Sequence, residues 1–144
     1  MPEIGIVGYN VEPNVRLQSA SGGAFKAIID TLDPDTVVFG ARWETRSTVV
    51  HSWAYAEDAY EKFTGSKYVQ SQIGKAYVEC ESFLEEGKEV LFSGTPCQIA
   101  ALKAYLRKSY ASLTCVDIVC HGVPCSKTLE KYISDKERRT GEKI

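Results

Sequence analysis

Histidine is scarce in this sequence. Only His51 and His121 occur among 144 residues, which leaves a histidine-based hydrolase few routes. No Ser-His-Asp order and no paired-carboxylate arrangement stands out. No Cys-x-x-Cys pair occurs either, so a structural zinc site has no framework. No apolar run approaches the roughly 18 residues that a membrane span requires. The opening MPEIGIVGYNVEPN lacks a basic n-region and an h-region of sufficient length, which argues against a signal peptide. Charge of one sign is missing as well: 17 basic residues stand against 19 acidic ones, for a net charge of −2. With no basic stripe, nucleic acid is not an expected partner. The charge-rich tail SDKERRTGEKI is mixed in sign and reads as a solvated helix end.

Cysteine, by contrast, is plentiful. Five occur, at 80, 97, 115, 120 and 125. An odd count without a secretion signal argues against a disulfide framework and for thiols, clusters or redox work, with the cytoplasm as the expected compartment. The length suits one domain with one core, and 44% hydrophobic with 25% charged residues is ordinary globular composition.

Along the chain, EIGIVGYN reads as a short strand. RLQSASGGAFKAIIDTL then switches to helical period, with Ala24, Phe25, Ile28, Ile29 and Leu32 on one face and Ser21 where an N-cap would sit. After the turn chemistry of DPD, TVVFGARW and STVVHSWAY read as an antiparallel hairpin. AEDAYEKF is a short helix, TGSKYVQSQIG a polar loop, and KAYVECESFLEEG an amphipathic helix closed by Gly87. Strand 89–93, helix 96–108, strand 113–119, the loop CHGVPCS and a last helix near 127–137 follow. This alternation predicts an α/β domain: a mixed sheet with at least two parallel strands, flanking helices and an antiparallel hairpin. Ligands of such sheets bind beyond the carboxyl ends of the strands, where SGTPC and CHGVPC both fall.

Those loops have chemical content. In SGTPCQ, Thr95 can cap and Pro96 can occupy the first helical position. The amides of Cys97 and Gln98 would then face outward in the positive end of the helix dipole, where an anion is held and a thiol acidified. The alternative is a capped helix on which Cys97 packs as a small hydrophobe, and spacing leaves both open. Cys115 and Cys120, five apart, would face opposite sides of a strand. Cys115, inside the strand, and Cys80, inside the helix 75–86, are read as packing, while Cys120 and His121 lie at the strand's end. SASGGAFK offers hydroxyls and glycine amides at a helix start, either an ordinary cap or a phosphate cradle. GSKYVQS gathers Lys67, Tyr68, Gln70 and Ser71, suited to a flat heterocycle with carbonyls or phosphate, or to a plain surface loop. Trp43 and Trp53 read as hairpin packing.

Taken together, RLQSASGGAF, GSKYVQSQIG, GKEVLFSGTPCQIAALKAYL and VDIVCHGVPCSKTLEKY resemble, in this order and spacing, the coenzyme F-420 hydrogenase/dehydrogenase beta-subunit family. The resemblance runs from about residue 5 to the last residue. It implies a flavin-dependent oxidoreductase module with FAD and a 4Fe-4S cluster. Such a module passes electrons or hydride between an iron–sulfur partner and a small-molecule acceptor, either a deazaflavin or another conjugated molecule. Carried over by motif, Ser21, Gly22 and Gly23 would contact the flavin's phosphate or ribityl. Lys67, Tyr68, Gln70 and Ser71 would face the isoalloxazine or its phosphates. Thr95, Pro96, Cys97 and Gln98 match the Gly-Thr-Pro-Cys-Gln helix start. Cys120, His121, Gly122 and Pro124 match the Cys-His-Gly-Val-Pro loop. Cys97 and Cys120 become the implied cluster ligands or cluster-adjacent thiols, and Lys67, Tyr68 and Cys97 the implied catalytic residues.

Cys125 stands where the family usually has Ser, and Ala20 where Ser is common. The ferredoxin-like segment of many members has no counterpart before residue 5. Residues 1–144 are therefore expected to form a single α/β domain that is part of a longer catalytic domain, served by a redox partner subunit or ferredoxin-type domain. Two rival expectations use the same loops without redox work: a nucleotide- or phosphate-binding domain in polysaccharide biosynthesis, and a non-catalytic scaffold that docks a ferredoxin-type partner.

Overall fold

A computed structural model describes residues 8–144. The strand expected over 3–10 lies largely outside them. A five-stranded sheet organises the chain. β1 (Val37–Trp43) and β2 (Val49–Tyr55) form the expected antiparallel hairpin, with Ala41 opposite His51. The two-residue β3 (Ser71–Gln72) pairs with the start of β2. β4 (Val90–Gly94) and β5 (Leu113–Asp117) run parallel to β1, which gives the order β3-β2-β1-β4-β5. Mixed sheet, flanking helices and hairpin are thus as the α/β reading has them.

The polar first part of the chain differs from its pattern. α1 (Pro13–Gln18) and α2 (Ala24–Ile29) are two short helices, and Ser21 caps neither. Gly23, at φ +79°, occupies the N-cap position of α2. That left-handed conformation is cheap for glycine alone. A Cβ on Gly22 would lie 3.2 Å from the carbonyl oxygen of Gly8, and one on Gly23 would lie 3.0 Å from Cβ of Asn10. The glycines are therefore needed where the 21–23 loop is pressed against residues 8–10, with the Asn10 amide donating to the Gly22 carbonyl at 2.7 Å.

Apolar residues divide the core between the two faces of the sheet. On one face α4 (Ala76–Glu85) and α5 (Pro96–Leu106) cover Val37, Phe39, Val90 and Phe92, with Cys80, Leu84, Ile99 and Leu102 packed into the layer. On the other, α3 (Ala56–Phe63) and α2 cover Val38, Ala54 and Leu91. Cys80 is fully buried, as its helical position suggests, and Cys115 packs partly buried against the same cluster. α6 (Ser126–Thr140) lies more loosely: Ile133 is its one buried residue, and it meets the hairpin turn through Arg46–Glu137 and Ser47–Glu130 contacts. Among the described residues no helix is long and apolar enough to cross a membrane.

Candidate functional site at the carboxyl edge of the sheet

β4 ends at Gly94, and α5 begins two residues later with Thr95 as N-cap and Pro96 in its first turn. Gln98 does not face outward. It is buried, and its Oε1 accepts both the Thr95 amide (3.0 Å) and the Thr95 hydroxyl (3.1 Å), the return half of a capping box. Its Nε2 donates to Ser71 Oγ at 2.9 Å, so this side chain ties β3 to the helix start. The Thr95 hydroxyl, already donating to Gln98, has a lone pair left for the Cys97 thiol, 3.2 Å away. Cys97 is exposed on the first turn. Pro96 has no N–H, and the Gln98 and Ile99 amides donate to the Thr95 carbonyl at 2.9 and 3.0 Å. Of that turn, the Cys97 amide is the one left to face a ligand.

The other edge loop is brought alongside by the Gln70 amide, which donates to the Pro124 carbonyl at 2.9 Å, and by the Ile118 amide, which donates to the Gly94 carbonyl at 2.8 Å. Within it Cys120 and His121 are exposed, and the Gly122 amide reaches Cys120 Sγ at 3.3 Å. Gly122 has φ +98° with open space around it, so the backbone turn, not close packing, requires glycine there. Cys125 stands at the N-cap of α6. Its thiol, 3.5 Å from the Thr128 hydroxyl, is held below the usual cysteine value by that contact.

Two groups of expected residues bond elsewhere than to this edge network. Lys67 turns back onto α3, donating to the carbonyls of Phe63 (2.7 Å) and Thr64 (2.8 Å), and burial pushes its ammonium down to about 8. Tyr68, next to it, is 80% exposed. The 21–23 loop is bonded to Asn10. The residue that motif reading missed is His51. Its ring, on β2, bonds Ser71 Oγ through Nδ1 at 2.8 Å and the Ser93 carbonyl through Nε2 at 3.0 Å. The signal was its parity: His51 shares the inward set of its strand with Val49 and Trp53.

The exposed first turn of α5 offers an anion the Cys97 amide and the positive end of the helix dipole. A four-thiolate cluster is less well served: among the described residues no three His, Cys, Asp or Glu side chains converge on one point. Any cluster at Cys97 or Cys120 would need further ligands from elsewhere.

Residues 87–144 match the family described as the C terminus of the beta subunit of coenzyme F420 hydrogenase/dehydrogenase. None of the curated proteins matches the chain. The family match takes in β4, the α5 start, β5, the 118–125 loop and α6. The resemblance carried by GTPCQ and CHGVP is borne out over these residues.

Proposed function

We propose that this chain, whose residues 87–144 carry the family's C-terminal sequence, is part of a flavin-dependent electron-transfer module with FAD on the carboxyl edge of the sheet. The observation that carries this reading is the start of α5, an eleven-residue helix whose first turn is exposed at Cys97 and braced from below by Gln98. The helix dipole and the Cys97 amide would hold the pyrophosphate. Thr95 and Cys97 at the start of α5, with His121 and Gly122 on the exposed 118–125 loop, would border the nucleotide, and Tyr68 would reach it from the neighbouring exposed loop. Gln98 and Ser71 would act beneath it as supports, and Lys67 would secure the loop through α3. Flavin, when bound, converts hydride transfer into single-electron steps. The chain's own part is to anchor and orient it, and electrons would pass between a redox partner subunit or ferredoxin-type domain, which would complete or hold the 4Fe-4S cluster, and a deazaflavin or other conjugated acceptor.

The test is an oxygen-free visible spectrum of the chain after incubation with FAD and removal of free flavin. Flavin bands co-eluting with the protein are expected. Cys97→Ser should retain them, whereas Cys97→Glu should weaken binding by about tenfold or more, because a carboxylate at the helix start repels the pyrophosphate. Colourless protein, or equal affinity in the two variants, contradicts the reading. Binding of inorganic phosphate by a colourless, folded chain would instead favour the non-redox phosphate-binding domain.

A further inference from the structure

His51 is 7% exposed and lies between two polar groups of different kind. The Ser93 carbonyl can only accept, so Nε2 must carry the proton that faces it. In the neutral ring Nδ1 is then an acceptor, and the hydrogen it receives comes from Ser71. Ser71 Oγ keeps a lone pair for the Gln98 amide at 2.9 Å. Gln98 Oε1 in turn receives both the amide and the hydroxyl of Thr95, and the Cys97 thiol points its proton at the Thr95 oxygen. One direction of donation therefore satisfies every member, and the partners assign the tautomer.

A small residue faces the ring: Ala41 is the pairing partner of His51, and even a Cβ on Gly94 would stand at ordinary contact distance, 3.6 Å, from Nε2. The ring can thus lie across β1 to reach β4, stacked on Phe92 with centroids 5.4 Å apart and planes 10° off parallel. A proton shuttle is ruled out by the far end, since a backbone carbonyl cannot take up a proton.

We propose that His51 is a positioning residue. Held as the Nε2–H tautomer between Ser71 and Ser93, it orients Ser71 and through it Gln98, and so sets the direction in which the Thr95 hydroxyl meets Cys97 at the start of α5. This inference goes beyond the cofactor reading and holds whatever ligand the edge takes.

The tautomer is read by long-range proton–nitrogen NMR on the intact chain at pH 7. With two histidines in the sequence, His121→Ala assigns the remaining signal. A neutral ring protonated at Nε2 is expected, and an Nδ1–H ring or an imidazolium would overturn the proposal. Hydrogen exchange of the Thr95 amide gives the second readout. Asn can offer its carbonyl oxygen in the place of Nδ1, whereas Gln mimics Nε2 and leaves Ser71 without its acceptor. His51→Asn should therefore keep Thr95 exchange within about threefold of the unmodified chain, while His51→Gln and Ser71→Ala speed it by about tenfold, the equivalent of one hydrogen bond. Equal exchange in the Asn and Gln variants would reduce His51 to packing and sink the idea. Should neither variant fold, the tautomer in the unmodified chain decides the matter.

Discussion

At the scale of single residues, the chemistry of this edge depends on which polar groups are already committed. Gln98 belongs to a motif that names it a ligand contact, yet both ends of its amide are engaged within the protein. Gly23 belongs to a motif that suggests a phosphate cradle, yet its positive φ and its closeness to Asn10 demand glycine without any ligand. A bulky residue at Gly23 would disturb the chain itself, so Ser21→Ala is the cleaner probe of that loop. His51 gives a pH signature. Its ring meets Ser71, the Ser93 carbonyl and Phe92, all uncharged. Burial lowers its pKa from the ordinary 6.5, and the Ser93 carbonyl only partly offsets this. Below 6.5 the unfolded chain takes up a proton that the folded chain refuses, so stability falls as pH drops through that value toward the folded pKa. Urea midpoints at pH 7.5 and 5.5 should show a drop that is smaller in His51→Asn. An equal drop in both proteins would remove His51 as its source.

At the scale of elements, β1 and α3 meet closely at Gly40. A Cβ on Gly40 would come within 2.7 Å of the Phe63 ring, at the last residue of α3. Gly40→Ala should therefore destabilise the fold by about 1–3 kcal/mol, the usual result of overpacking, measured as a lower denaturation midpoint; an unchanged midpoint would mean that the layer yields freely. This contact was not legible in TVVFGARW, because alternation shows which face a residue takes but not what the next layer brings to it. Most elements were legible for plain reasons. Thr95 and Pro96 mark a helix start by cap chemistry, and Gly87, at φ +79°, ends α4 as a C′ glycine. The α1–α2 region was not, because its apolar spacing from Ala24 to Leu32 suits one longer helix. The structure ends α2 at Ile29 and starts it from a left-handed glycine.

For the molecule as a whole, the sheet order explains why residues far apart in sequence share one edge. Parallel β1, β4 and β5 put their carboxyl ends together, and the antiparallel return of β2 brings His51 to the same end, beside Ser71 on β3. The motifs GTPCQ and CHGVP announced two of these loops. The polar bracing beneath them was hidden, since hydrogen bonds between β2, β3 and α5 depend on strand order, which local periodicity does not encode. The central claim is that this edge receives a flavin nucleotide. Its most direct test is an amide NMR titration of the intact chain with FAD. The account predicts saturable shifts concentrated at residues 94–98 and 118–125, with smaller ones at 68–72. Shifts confined to the opposite, amino edge of the sheet, or none at all at saturating FAD, would contradict it.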